Sequence, residues 1–185
     1  MAERESMRAS EVMRAIDGQP AAVEKLALTF LPRIYGLALR LTRSPELAEE
    51  ATQETYLRLL PRLGSLRDPA RIDAWILTIT ANVVRDRMRS RKREPQALSY
   101  EPPALEAAGD DFELARKRAV EHALGELSYA DRELFLLHTV EGVRLKTLAK
   151  TRKESLSAVT SRVHRVRTKV RAEALGRLRA AGVVS

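Results

Sequence analysis

Along most of this chain apolar residues recur at spacings of three and four, as on a helix buried along one side. No long β-branched run alternates with the period of two expected of a strand. The pattern is densest over residues 74–93, AWILTITANVVRDRMRSRKR. At about 100° per residue, Trp75, Ile76, Ile79 and Val83 share one side of a helix, and Thr78, Asn82, Arg85, Arg89 and Lys92 form a second stripe beside it. Trp75 lies on the apolar side and reads as packing. The first half of the segment is uncharged, whereas the second carries Arg85, Arg87, Arg89, Arg91, Lys92 and Arg93 against Asp86 and Glu94. One face is therefore for burial and the other for solvent or for something anionic, and a counter-charge is expected nearby.

The same spacing lays out the rest of the first half. Ser10 reads as the N-cap of a short helix over 11–16, which Gly18 ends. Pro20 suits the first turn of the next helix, with Val23, Leu26, Ala27 and Phe30. Lacking an amide hydrogen, Pro32 kinks or restarts it before it resumes through Ile34, Tyr35, Leu37, Ala38 and Leu41. Ser44 and Pro45 then open a helix whose inner stripe is Leu47, Ala51, Thr55 and Leu59. Its outer residues, Glu50, Gln53, Glu54 and Leu57, make an acidic face. Residues 61–71, PRLGSLRDPAR, read as a loop. Residues 94–111, EPQALSYEPPALEAAGDD, combine prolines and acids with no apolar period, and read as a flexible linker between two domains.

Beyond that linker, Phe112, Ala115, Ala119, Val120 and Leu124 predict an amphipathic helix reaching Leu127. Ser128 and Asp131 form a capping-box-like start for a helix with Leu134, Phe135, Leu137 and His138 that stops at Gly142. A short helix with Leu145, Leu148 and Ala149 follows. The last helix opens at Ser155, with Leu156, Val159, Val163, Val166 and Val170 on one side and Ser157, Thr160, Ser161, His164, Arg165 and Thr168 on the other. A short helix, a tight connection and a long helix with a polar, basic face form the helix-turn-helix arrangement, whose second helix enters the DNA major groove. The prediction is an all-α protein of two small helical domains, 1–93 and 112–185, joined by the linker 94–111.

Composition narrows the function. With 44% hydrophobic and only 4% aromatic residues, 185 residues suffice for one ordinary domain or two small ones with modest cores. The net charge of +8 is concentrated in the run after Arg85 and in the stretch after Gly142, where only Glu154 and Glu173 oppose the cations. Two separated basic surfaces point to nucleic acid ahead of an anionic membrane. There is no cysteine, which excludes disulfides, thiolate metal sites and cysteine catalysis. His122, His138 and His164 stand in no HExxH or Ser-His-Asp grouping, and no GxxxxGK[ST] occurs, so neither an enzyme nor a metal or cofactor site is expected. The polar start MAERESMRASEVM and the lack of any uncharged apolar run of roughly 18 residues predict a cytoplasmic protein without membrane insertion.

In their order, the stretches FLPRIYGLALRLTRSPELAEEATQETYLRLLPRL, RDPARIDAWILTITANVVRDRMRSRKR, LSYADRELFLLHTVEG and SAVTSRVHRVRTKV resemble the extracytoplasmic-function (ECF) group of bacterial RNA polymerase sigma factors, over about residues 23–174. The resemblance implies binding to core RNA polymerase and to promoter DNA, melted by the first domain and held as duplex by the second. Family docking positions fall on Glu49, Glu50, Gln53 and Tyr56. An acidic face beside a basic one lets a small domain engage protein and DNA together, while the same carboxylates also suit the helix dipole. The minus-ten element, read as a displaced single strand, maps to Leu66 and its loop and to Asn82, with Arg85 and Arg89 on phosphates. The minus-thirty-five element maps to Thr160, Ser161, Arg162, His164 and Arg165. An anti-sigma factor is an implied negative partner.

Two departures from the family pattern stand out. Before the recognition helix the family has a capping Ser or Thr, two acids and an apolar-Gly-apolar turn. Here those positions hold Arg144, then Lys146 and Thr147, then Arg152, Lys153 and Glu154, which predicts a frayed or repositioned first helix of the motif. In the docking helix, Ala51 and Thr52 replace a more apolar pair and Leu60 replaces an aromatic. The competing function is a stand-alone helix-turn-helix regulator, which accounts for the second domain but leaves the acidic helix and the basic helix of the first without a role.

Overall fold

The structure, a computed structural model, describes residues 2–91 and 111–184, and every element among them is helical. They fall into two compact units, one on each side of residues 92–110. The expected linker lies outside the described residues except for Asp111, the first residue of α5.

The first unit comprises α1 (Ala2–Ile16), α2 (Pro20–Thr42), α3 (Pro45–Leu59) and α4 (Ile72–Arg91). Helix α1 runs further back than the capping signal predicted. Nothing in AERESMRAS breaks a helix, so Ser10 sits exposed inside it and is not an N-cap. Helix α2 passes through Pro32 without a restart. The ring is exposed, and the Leu28 carbonyl that loses its amide partner belongs to an exposed residue where water can replace it. Arg43 ends α2 in the left-handed region (φ 56), and the Ser44 hydroxyl then accepts from the Leu47 amide at 3.3 Å, with Pro45 in the first turn of α3, as predicted.

Helices α2, α3 and α4 pack on one another around Phe30, Ile34, Leu37, Leu41, Leu59, Ile76 and Leu77, all essentially inaccessible to water. Each such side chain contributes about 1.5–3 kcal/mol on burial. The α3 stripe Leu47, Ala51, Thr55 and Leu59 is buried as expected. Helix α4 buries more than its predicted stripe: Leu77, Thr80, Ala81 and Val84 join Ile76 and Val83, while Trp75 and Ile79 are only partly covered, because α2 and α3 both pack against it. The buried hydroxyls of Thr52, Thr55 and Thr80 each donate to the carbonyl four residues back in their own helix, at 2.7, 2.7 and 3.0 Å. The predicted loop is two 3-10 turns, Leu60–Ser65 and Pro69–Arg71, the second capped by the Asp68 side chain on the Ala70 amide.

In the second unit α5 (Asp111–Gly125) lies along α8 (Leu156–Ala180), with α6 (Tyr129–Phe135) and α7 (Leu145–Arg152) also against α8. Ser128 caps α6 by accepting from the Asp131 amide, and Ser155 caps α8 by accepting from Ala158. Beyond Phe135 the chain widens into a π turn, Leu136–Val140, and turns back at Gly142 (φ 72), where the His138 Nδ1 meets the Val143 carbonyl at 2.9 Å. Val159, Val163, Val166 and Val170 are buried as their spacing predicts. Leu156, expected with them, is 50% exposed at the first position of α8, and Phe112, expected inside, is exposed in the first turn of α5.

The first helix of the motif is not frayed. Helix α7 is intact because the unusual Arg152 has a buried partner: its Nη1 lies 3.2 Å from an oxygen of Glu133, a residue 2% exposed on α6, and its Nε donates to Glu154 at 2.9 Å. Two positions expected to be apolar are thus filled by an arginine and an acid that satisfy each other, with Glu133 as the third member. Lys153 takes the left-handed turn (φ 56) that glycine adopts more cheaply.

Candidate nucleic-acid interface

The counter-charge expected near the basic half of α4 comes from α3. Arg87 pairs with Glu50 and also approaches Glu54 at 3.5 Å, while Arg58 donates to Glu54 at 2.8 Å and to Asp86 at 2.7 Å. The Arg87 Nε is buried with no acceptor among the described residues, so that side chain is held through its two Nη atoms. Hydrogen bonds to Asp86 and then to Glu54 hold the Arg58 guanidinium more firmly protonated than usual. The charges at 50, 54, 58, 86 and 87 therefore form a ladder along the rim of the α3–α4 seam.

This ladder divides the predicted docking residues. Glu49 and Gln53 are exposed, whereas Glu50 is half-buried and engaged with Arg87. Tyr56 turns inward: its hydroxyl donates to the Ala27 carbonyl of α2 at 2.6 Å, and burial pushes its pKa up to about 12. Leu57, which the sequence pattern places on the outer face but not among the docking positions, is 72% exposed, and Leu60 beyond it is also exposed. The available signal was helical spacing, because 49, 53 and 57 follow one another four apart and so share a face.

On α4 the predicted strand-reading residues stay together. The Asn82 Oδ1 accepts from an Arg85 Nη at 2.9 Å, and Arg89, one turn on, is exposed with no ion pair to another described residue. Arg89 thus lies on the open side of the helix, Arg85 is partly covered beside Asn82, and Arg87 lies on the side facing α3. Leu66 is partly buried against the cluster that also holds Ile72, Ile76 and Ile79. This seats its loop against the first two turns of α4, ahead of Asn82 in the third.

On α8, Ser157, Thr160, Ser161, His164, Arg165 and Thr168 are all exposed, and the Thr160 hydroxyl donates back to the Leu156 carbonyl at 2.8 Å. Arg162 differs from its neighbours. Its Nε donates to Asp131 of α6 at 2.7 Å, so it braces α8 against α6 and does not lie on the open face. Burial alone would raise the Asp131 pKa, but hydrogen bonds from Arg162 and Ser128, with the Arg162 charge, bring it below its ordinary value. The helical period already set 162 beside Val159 and Val166, at the edge of the buried stripe.

Comparison with known proteins bears on what these surfaces serve. Residues 26–94 match the family model for sigma-70 region 2. The chain is 34% identical over 164 residues to RNA polymerase sigma factor CarQ of Myxococcus xanthus, covering 88% of this chain and 94% of that protein. It is 31% identical over 138 residues to ECF RNA polymerase sigma factor SigK of Mycobacterium sp. strain KMS, covering 71% and 72%. Among solved structures it shares the fold of sigma factor RpoE from Bartonella quintana, crystallised with the anti-sigma factor NepR, with a TM-score of 0.69, 24% identity and coverage of 83% and 96%.

These likenesses define the class: RNA polymerase sigma factors, which direct transcription initiation with RNA polymerase and are not enzymes. Within that class the chain belongs to the ECF family. A stand-alone regulator does not account for the region 2 match. Among the described residues no helix is long and apolar enough to cross a membrane.

Proposed function

We propose that residues 1–93 hold core polymerase and the melted minus-ten strand, that 94–111 connect the two parts, and that 112–185 hold the minus-thirty-five duplex. In this reading Glu49 and Gln53, with Glu50 at their edge and exposed Leu57, meet the polymerase, and Tyr56 acts behind them as a strut to α2. Leu66 and Asn82 take the unstacked base, and Arg85 and Arg89 take phosphates. Thr160, Ser161, His164 and Arg165 face the upstream groove, and Arg162 positions α8 from behind. The protein works in the cytoplasm, where its polymerase is, and an anti-sigma factor opposes it by covering these charged faces.

One observation carries the reading: the α4 arginines are sorted, with Arg87 engaged by Glu50 and Glu54 on the α3 side while Arg85 bonds Asn82 and Arg89 lies exposed one turn on. An arginine already paired across a helix seam adds little to phosphate binding, whereas an exposed one such as Arg89 adds its full charge. The test is promoter opening by holoenzyme carrying Arg85→Ala with Arg89→Ala, followed by reactivity of unpaired thymines. Opening is expected to fall about tenfold or more, with core polymerase affinity within about twofold of wild type. An equal loss of polymerase affinity overturns the assignment.

A further inference from the structure

We infer that α1 is a positioning element for promoter reading: through Val12, Ala15 and Ile16 it fixes the loop that carries Leu66, and so sets discrimination at the base this loop holds. The inference rests on the assignment of Leu66 and Asn82 proposed above. The region 2 match begins at residue 26, so α1 lies outside it, and no role for α1 follows from the match.

The loop between α3 and α4 has little of its own to keep it in shape. Its two 3-10 turns make the poorer i→i+3 hydrogen bonds. Among the described residues its other polar ties are also local: the Leu66 amide to the Leu63 carbonyl at 3.1 Å, the Ser65 hydroxyl to the Arg62 carbonyl at 2.6 Å, and Arg71 to Asp68 at 2.8 Å. Pro61, Arg62, Gly64, Ser65 and Arg67 face solvent. What attaches the loop to the unit is apolar: Leu63 is buried and Leu66 partly buried in one cluster.

That cluster has two sides. Ile72 and Ile76 of α4, with Leu26, Phe30 and Ile34 of α2 and Leu59 of α3, supply one, and α1 supplies the other with buried Val12 and Ala15 and partly buried Ile16. Contact extends to the backbone, since a methyl group placed on Gly64 would lie 3.8 Å from the Ile16 carbonyl oxygen. Helix α1 is itself held in place. Glu11 pairs with Lys25 of α2, and the chain reverses at Gly18 (φ 79) with the Gln19 amide on the Arg14 carbonyl at 3.0 Å. A loop whose hydrogen bonds among the described residues are local, clamped between α1 and the α2, α3 and α4 side of this cluster, takes its position from both. Displacing one clamp by a fraction of an ångström is enough to spoil a pocket built for one base.

The test uses holoenzyme on a promoter library randomised across the downstream element, and reads the ratio of initiation between the preferred and the next-best base at each position. Four variants are compared: Val12→Ala with Ile16→Ala, Ile16→Leu, Met13→Ala on the exposed side of α1, and Leu66→Ala. The paired alanine variant is expected to lower discrimination at one position about fivefold or more, with core polymerase affinity within about twofold and faster amide exchange over 63–71. Ile16→Leu and Met13→Ala are expected to keep the wild-type ratio. If Leu66→Ala lowers the ratio and the paired variant does not, the role of α1 is overturned while the reading of the loop survives. If Leu66→Ala leaves it unchanged, both fail. Parallel loss of polymerase binding and discrimination in the paired variant overturns the positioning role in favour of a general structural one.

Discussion

Helices α4 and α8 are both rich in arginine, yet their cations meet different surroundings. On α4, every second residue from 85 to 91 is an arginine, and acids on α3 reach across the seam to claim Arg87, whereas Arg85 bonds Asn82 and Arg89 is exposed. On α8 the division is sharper: Arg162 is braced against Asp131, and Arg165 projects among Ser161, His164 and Thr168. The motif around α8 also contains a third kind of cation, Arg152, which is 11% exposed and belongs to the interior. The comparison teaches that net charge announces a polyanion partner without saying which cations meet it. Each guanidinium has to be assigned from its neighbours.

The comparison breaks most easily at Arg152. Arg152→Leu restores an apolar residue to the turn but takes the Arg152 charge away from the buried Glu133 carboxylate, and is expected to cost about 3–5 kcal/mol in urea unfolding. Adding Glu133→Gln is expected to return most of that loss. If the single variant is as stable as wild type, the buried pair does not organise the motif.

The next prediction sets an outward arginine against a seam arginine. Arg165→Ala is expected to weaken binding to upstream duplex by about 1–3 kcal/mol without changing stability. Arg87→Ala is expected to do the reverse in kind, costing at most about 1 kcal/mol of stability, as for other half-exposed pairs, and leaving duplex affinity alone. Quantitative duplex binding beside urea melts of both variants checks the contrast, and equal effects on the two readouts would remove it.

The smallest effect is at Tyr56, where α3 is tied to α2 by a hydroxyl instead of a charge. Its folded pKa of about 12 lies above the ordinary 10.0, so the unfolded chain ionises first. The contribution of this group is therefore complete below pH 10 and is lost as pH rises toward 12. Unfolding free energy across that window is expected to fall less steeply for Tyr56→Phe than for wild type. An identical slope would mean that the hydroxyl is not shielded.

Much of this architecture is visible in the sequence wherever it depends on neighbours within a turn or two. Ser44–Pro45 and Ser155 announce their helix starts, and the stripes 47/51/55/59 and 159/163/166/170 announce the sides that are buried. What local pattern does not contain is the identity of partners far along the chain. Arg87 and Glu50 are 37 residues apart, Arg162 and Asp131 are 31 apart, and the Tyr56 hydroxyl finds a carbonyl 29 residues away. For the same reason a turn that looks broken at Arg152 is whole, since Glu133 answers it from 19 residues upstream. Ser10 failed in another way: a good capping residue has no effect where nothing before it stops the helix.

The threonines of the α3–α4 seam have one more consequence. Because Thr52, Thr55 and Thr80 spend their hydroxyls on their own helices, the polar ties between α3 and α4 described above sit at the rim, in the pairs of Arg58 and Arg87. Rim charges feel dissolved ions, whose screening length is about 8 Å at physiological strength, whereas a buried apolar seam does not. In the proposed reading, added salt therefore acts on this protein twice, loosening its hold on phosphates and relaxing the register between the helix assigned to polymerase and the helix assigned to the melted strand.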